Sequence, residues 1–309
     1  MEGTFQTYCS PTSNYYYPAA KNFPKTVYIF ACVVIIIFSI LSTVGNIVIL
    51  LVLRKCQSLH PPSKALLCSL ALTDLFVGLV VLPLFTADYM TVIFEIPEYY
   101  CALAITYGRT STFIGAVSLE VITTIAIDRY LAFRLRLSYR QVMKLRRVVF
   151  ILAFEWILAA IWTASWFLSV SFNMFFGAIG MFGCCFTTSL CYLRIYCGFR
   201  QHTAQIRQQT DPEPAIDLNM AQYKKTVNNM LWIYGVVILC YTPHFACLLA
   251  IFISGINESN RFALHLSAIA IYFNSFLNPI LYCWKIKEIR FKIIAILLPI
   301  FNYFSAVGG

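Results

Sequence analysis

Val27-Tyr-Ile-Phe-Ala-Cys-Val-Val-Ile-Ile-Ile-Phe-Ser-Ile-Leu-Ser-Thr-Val-Gly-Asn-Ile-Val-Ile-Leu-Leu-Val-Leu53 contains no charged residue, and Arg54 and Lys55 follow it at once. At 1.5 Å per residue such a helix is about 40 Å long, enough to cross the ~30 Å hydrocarbon core of a bilayer. Six further runs follow, at 63–88, 102–133, 147–170, 174–201, 223–253 and 262–284, with turn or charge signals between them. The 309 residues are 60% hydrophobic and only 12% charged, about half the ~25% charge of soluble domains. Mean hydropathy is +0.74. Together these values exclude a cytosolic enzyme, a disordered tail and a small disulfide scaffold. They predict an all-α, seven-transmembrane helix bundle.

The formal net charge of +10 would suggest nucleic acid in a soluble domain. Here the basic residues lie between apolar runs, where they orient the chain in a membrane. With the N-terminus outside and the C-terminus inside, 19 of the 23 Lys and Arg fall on the cytoplasmic side; the exceptions are Lys21, Lys25, Arg109 and Arg261. Residues 1–26 read as an extracellular N-terminal segment. It has no basic start, and the apolar run after it is too long for a cleavable signal core, so that run reads as an uncleaved anchor. Residues 27–284 form the bundle, and the stretch around Asp211, Pro212, Glu213 and Pro214 is a solvated linker within it. Residues 285–309 form an amphipathic membrane-surface helix and a short tail, with Ile286, Ile289 and Ile293 on one face among basic residues.

Polar residues inside a span are costly, so each is a functional candidate by default. Asn46 follows Gly45 in the first run, and Asp74 sits mid-span in Leu70-Ala-Leu-Thr-Asp-Leu75. Asp128-Arg129-Tyr130 closes the third run, Trp156 is central in the fourth, Pro243 interrupts the sixth, and Asn278-Pro-Ile-Leu-Tyr282 lies in the seventh. Any one of these is weak; their spacing, each on its own span from Asn46 to Arg290, resembles the rhodopsin-like class A family of G-protein-coupled receptors. Internal repeats and charged paths, which a transporter or channel would need, are missing.

The resemblance implies a multi-pass plasma-membrane receptor, not an enzyme, that binds an extracellular small-molecule or lipid-like ligand and activates a heterotrimeric G protein. Arg129 would be held by Asp128 at rest and swing toward Tyr196 and Tyr282 as the sixth span moves out, a switch with two discrete states. Asp128, Arg129, Tyr130, Tyr196, Tyr241, Pro243, Asn278, Pro279 and Tyr282 are the implied switch residues. Arg129 and Leu137 would touch the G protein. No cofactor is implied beyond a sodium ion, an allosteric modulator held by Asp74, Ser118, Asn274 and Asn278. The other reading of that site is a protonated Asp74 hydrogen-bonded to Asn46 and Asn278.

The chain also departs from the family. Cys240-Tyr241-Thr242-Pro243 replaces the usual Cys-Trp-x-Pro, Val237 stands where a Phe is expected, Thr188 replaces the fifth-span Pro, and Tyr223 stands where an acid often restrains the Arg. These changes leave open a ligand-independent, constitutively active receptor or a heteromeric partner. The second outer loop reads as short, about Ser169 to Phe175, without the cysteine that normally meets the third span. Cys101 and Cys9, the only cysteines in outer segments, are then the disulfide candidate; the alternative is two free or capped thiols. The short loop and the missing fifth-span Pro are similar to the branch containing melanocortin, lysolipid, cannabinoid and adenosine receptors. The inner-side stretches Ala126–Leu137 and Asn278–Arg290 look most like adenosine receptors.

Family ligand sites transfer poorly. Amine receptors carry an Asp where this chain has Ser111, opsins need a Lys where it has Tyr272, and adenosine receptors an Asn where it has Leu248. Melanocortin receptors use acids at Leu84, Ala104 and Gly108. The remaining candidates are Tyr107, Arg109, Ser111, Tyr241, His244, His265 and Tyr272, an aromatic lining suited to a small neutral, lipid-like or acidic ligand. Packing would explain the tyrosines, and Arg109 could snorkel to headgroups. Glu120 and Glu155 read as two protonated carboxyls, each hydrogen-bonded locally, rather than as a proton-sharing pair. Most of the twelve cysteines lie within spans as small apolar residues. Asn257-Glu-Ser259 is a glycosylation candidate close to the membrane.

Overall fold

The computed structural model describes residues 24–57, 59–165, 170–209, 214–254, 258–285 and 289–295; the side chains of Leu137, Tyr223 and Arg261 lie outside that set. Among the described residues there are helices and no strands. Seven helices are long and apolar enough to cross a membrane. They are α1 (Lys25–Lys55), α2 (Pro61–Ile93), α3 (Pro97–Leu135), α4 (Leu145–Ala164), α5 (Val170–Gln209), α6 (Pro214–Ser254) and α7 (Glu258–Lys285). Residues 289–295 form α8.

In the bundle α1 packs on both α2 and α7, α6 packs on α5 and α7, and α3 is central against α2, α4 and α5. Each apolar run is helical because only an internal hydrogen-bond ladder satisfies its backbone away from water. Small residues set the closest approaches. At Gly78, where α2 makes a π turn over Val77–Val81, a Cβ would lie 2.5 Å from Thr43 Oγ1 and 2.9 Å from the Thr43 nitrogen. Ser39 Oγ donates to the Gly78 carbonyl at 2.7 Å, supplying a donor where the π turn disturbs the α-helical ladder. Gly45 plays the same part against α7, where a Cβ would lie 2.9 Å from Pro279 Cγ.

Boundaries depart from the sequence reading at several helix ends: α2 runs on to Ile93 rather than 88, α3 starts at Pro97 rather than 102, and α5 continues to Gln209 rather than 201. The fourth helix ends at Ala164 rather than 170, and α5 is already helical from Val170, so most of the expected outer loop from Ser169 to Phe175 belongs to a helix. The sixth helix starts at Pro214, which suits a first helical turn because it lacks an N–H. On the inner side Ile289 is fully buried among Ile49, Val52, Leu53 and Leu70, with Ile293 packed against them. Lys292 Nζ donates to the Lys55 carbonyl at the end of α1. Ile286 lies outside the described residues.

Candidate functional site: an outer cavity, a polar midpoint and an inner lock

At the inner end of α3, Asp128 is fully buried. Its Oδ2 accepts from Ser63 Oγ of α2 at 3.0 Å, and its Oδ1 accepts from the Tyr139 hydroxyl at 2.6 Å. Tyr139 lies on a helical turn, Tyr139–Val142, just beyond a 3-10 turn over Arg136–Ser138. Burial and the Asp128 hydrogen bond raise the Tyr139 phenol above its ordinary value, so it remains a donor at neutral pH. Arg129 Nη2 stands 3.5 Å from the same carboxylate. Three elements therefore converge on one buried charge, the arrangement a two-state lock requires.

Midway through the bundle, Asp74 is fully buried and its Oδ2 accepts from Asn278 Nδ2 at 2.7 Å. Asp74 Oδ1, Asn46 Oδ1 and Asn274 Oδ1 are buried oxygens without a hydrogen-bond donor. Asn46 Nδ2 turns to the carbonyls of Ser42 and Ser275 rather than to Asp74, so only the Asn278 half of the hydrogen-bonded alternative is present. Ser118 is 4% exposed on α3. Buried acceptor oxygens with no donor suit a hard cation, which takes oxygen ligands.

From its outer end to just past its midpoint the bundle encloses a cavity of about 380 Å³, in the size range of small-molecule sites. Tyr107 of α3 and Tyr272 of α7 join hydroxyls across it at 3.0 Å. Phe85 stacks on Tyr107 with ring centroids 4.5 Å apart. His244 Nδ1 is 2.9 Å from Ser267 Oγ, which donates its own hydrogen to the Leu264 carbonyl at 2.7 Å.

Residues 45–171 and 163–282 match the family model described as 7 transmembrane receptor (rhodopsin family). The chain belongs to that family. Squid rhodopsin has the same fold, with a TM-score of 0.73, 19% identity, and 91% of this receptor and 89% of that chain covered. The receptor is 28% identical to the 5-hydroxytryptamine receptor 1E of Homo sapiens over 118 residues, 38% of its own length and 32% of that protein. It is 31% identical to the 5-hydroxytryptamine receptor 2C of Canis lupus familiaris over 114 residues, 37% and 24% respectively. The aligned stretch thus spans about a third or less of these relatives. Neither is a melanocortin, lysolipid, cannabinoid or adenosine receptor, so the finer likeness rests on the residues that suggested it.

Family and span pattern make the receptor a multi-pass plasma-membrane protein of a receptor family rather than an enzyme family. Of its ligand candidates, Tyr107, Ser111, Tyr241, His244, His265 and Tyr272 line the cavity, whereas Arg109 is not part of the wall. Arg109 is half-buried and not without a partner. Ser111 Oγ donates back to the Gly108 carbonyl. Asp88 and Glu120 also line the cavity, and the sequence reading did not place them there. An Asp at the outer boundary of the second run, and Glu120 nine residues beyond Ser111 on the same helix, were the available signals.

The switch residues are spread along the bundle. Tyr130 accepts from Arg134 at 2.8 Å. Tyr196 faces outward with Arg200 over its ring, and Tyr282 is buried in the cluster around Leu70. Tyr241 packs with Val237, Cys240 and Leu119, and Pro243 lies within the continuous α6. Thr188, in place of the Pro, donates to Thr123 of α3 at 3.3 Å. Glu155 accepts from Thr124, but Glu120 Oε2 has no hydrogen-bond partner; the expectation of two locally bonded carboxyls therefore fails at Glu120. Among the described residues Cys101 is disulfide-bonded and the ten other cysteines are free. Cys9 and Asn257 lie outside the described residues.

Proposed function

We propose that this receptor takes a small apolar or lipid-like ligand into its outer cavity and passes the binding energy to a heterotrimeric G protein by opening its inner face. The observation that carries this reading is the convergence of Ser63, Tyr139 and Arg129 on Asp128. Ligand can shift such an equilibrium only by binding the open state better than the closed one. In the open state Arg129 reaches the G protein, with Leu137 as an apolar contact beside it. The basic inner loops support an N-terminus outside and a C-terminus inside. Purified receptor in lipid nanodiscs should hold a G protein once nucleotide is removed enzymatically. Arg129→Ala should not, and equal capture by both would refute the role.

A sodium ion is proposed as the allosteric ligand of the midpoint. Asp74 and Asn274 would hold it through the oxygens that lack donors, Ser118 would contribute its hydroxyl, and Asn278 orients the carboxylate. The ion would supply positive charge that keeps Asp74 ionised in the closed bundle. The likeness to the melanocortin, lysolipid, cannabinoid and adenosine branch is kept as a proposal about the coupling side. Cys9 is proposed as the disulfide partner of Cys101; non-reducing peptide maps joining Cys101 to any other residue would exclude it. The relatives are named for an amine, but at Ser111 this chain offers no counter-ion for one.

A second reading, ligand-independent activity, rests on Tyr241 and Val237 in the positions where the family keeps a Trp and a Phe. Exchange that no ligand increases would favour it.

A further inference from the structure

The cavity runs far deeper than its aromatic mouth. Along α3 its wall extends from Ala104 to Glu120, which at 1.5 Å per residue is about 24 Å. At its inner end it lies between α3, α4 and α5, bordered by Glu120, Leu158, Gly180, Met181 and Cys184. The outer ends of α4 and α5 are tied together, Asn173 Nδ2 donating to the Trp162 carbonyl at 3.1 Å while Gly177 accommodates the Trp162 ring. Gly115 and Gly180 also border the cavity, and a Cβ at either would meet nothing within 4 Å. The space between the helices is therefore open from both sides.

The chemistry at that end is one-sided. Glu120 Oε2 is buried without a hydrogen-bond partner. Thr124, one helical turn further in on the same face of α3, donates to Oε1 of Glu155, which is 6% exposed and whose Oε2 also has no partner. Among the described residues no Lys or Arg lines the cavity, and the histidines that do are His244, beside Ser267, and His265, stacked among the aromatic rings of the mouth. Glu120 lines the channel and Glu155 lies behind its wall; two carboxyls with idle acceptor oxygens in a low-dielectric interior are costly unless a donor or a positive charge reaches them.

We propose that this inner end is a subsite for the ammonium group of an elongated amine, whose apolar body fills the channel back toward Tyr107 and Tyr272. The head is held by Glu120, with the negative charge of Glu155 behind the wall adding to the field there. The subsite places an amine where the sequence offers none at Ser111, and it rests on the reading of the cavity as the ligand site.

The test uses the full chain in nanodiscs with two probes of equal length, decylamine and decanol, read by the thermal unfolding midpoint. Decylamine should raise the midpoint of the wild type and decanol should not. Glu120→Gln should weaken the apparent affinity for decylamine at least tenfold. Gly180→Leu, which fills the open space without altering a carboxyl, should do the same and decides the matter if Glu120→Gln does not fold. A decylamine shift unchanged in either folded variant, or decanol acting as strongly as decylamine on the wild type, overturns the subsite. Ligand-free nucleotide exchange is measured on the same preparations. Exchange without an amine shift removes the subsite and keeps the proposed function, whereas an amine shift without exchange does the reverse.

Discussion

Asn278 of α7 donates from Nδ2 to Asp74 Oδ2 of α2 at 2.7 Å, leaving Asp74 Oδ1 without a donor. Half of a fully buried carboxylate is satisfied and half is open. If sodium completes it in the closed bundle, replacing sodium by a bulky organic cation should raise ligand-free nucleotide exchange several-fold. Asp74→Asn should remove that response. Equal sodium sensitivity in the two proteins would eliminate the site as a regulator.

The Asp128 lock predicts that Tyr139→Phe and Ser63→Ala each raise basal exchange. Hydrogen bonds to a buried charge contribute about 1.5–3 kcal/mol, and 1.4 kcal/mol is tenfold in an equilibrium. Roughly a tenfold shift toward the open state is expected for Tyr139→Phe, with surface expression retained. Basal exchange at or below the wild-type level would refute the lock.

A second tie lies between α5 and α6, where the hydroxyls of Ser189 and Tyr234 share a hydrogen bond and the Tyr192 and Tyr234 rings lie 5.1 Å apart. Outward movement of α6 must break it. Tyr234→Phe keeps the ring and removes the bond, which is worth about 1 kcal/mol, so basal exchange should rise roughly fivefold. Tyr234→Phe activity indistinguishable from wild type would show that this tie does not restrain α6.

Packing gives a prediction independent of signalling. Gly78→Ala forces a methyl against the backbone of α1, with contacts to Thr43 N and Ser39 O near 3 Å, and should cost about 1–3 kcal/mol. Gly183→Ala meets nothing within 4 Å and should stay within about 0.5 kcal/mol of wild type. Thermal unfolding in nanodiscs separates the two; equal midpoints would contradict the α1–α2 contact.

The spans were legible because a hydrocarbon environment demands long uncharged helices, and residues 27–53 and 262–284 fall within or on the helices found. The end of α4 and the start of α5 were not, because Phe172, Asn173 and Met174 continue a helix without any Gly or Pro to signal where it begins. At the site, Tyr107, His244 and Tyr272 were found by looking for polar groups in the outer half. Arg109 was not separable from them, because a helix position alone does not say which way a side chain turns. Asp88 and Glu120 were missed as cavity walls for a related reason: the void beside Gly115 and Gly180 depends on how α3, α4 and α5 diverge, which no single helix encodes.

The central claim is that opening the inner face drives a G protein. It is tested most directly by ligand-free nucleotide exchange, with purified receptor in nanodiscs, sodium replaced by an organic cation, and one G protein from each class. The account predicts accelerated exchange for at least one class, lost in Arg129→Ala and reduced in Leu137→Ala at equal expression. Exchange that no class shows above receptor-free nanodiscs, or that survives unchanged in Arg129→Ala, would contradict it.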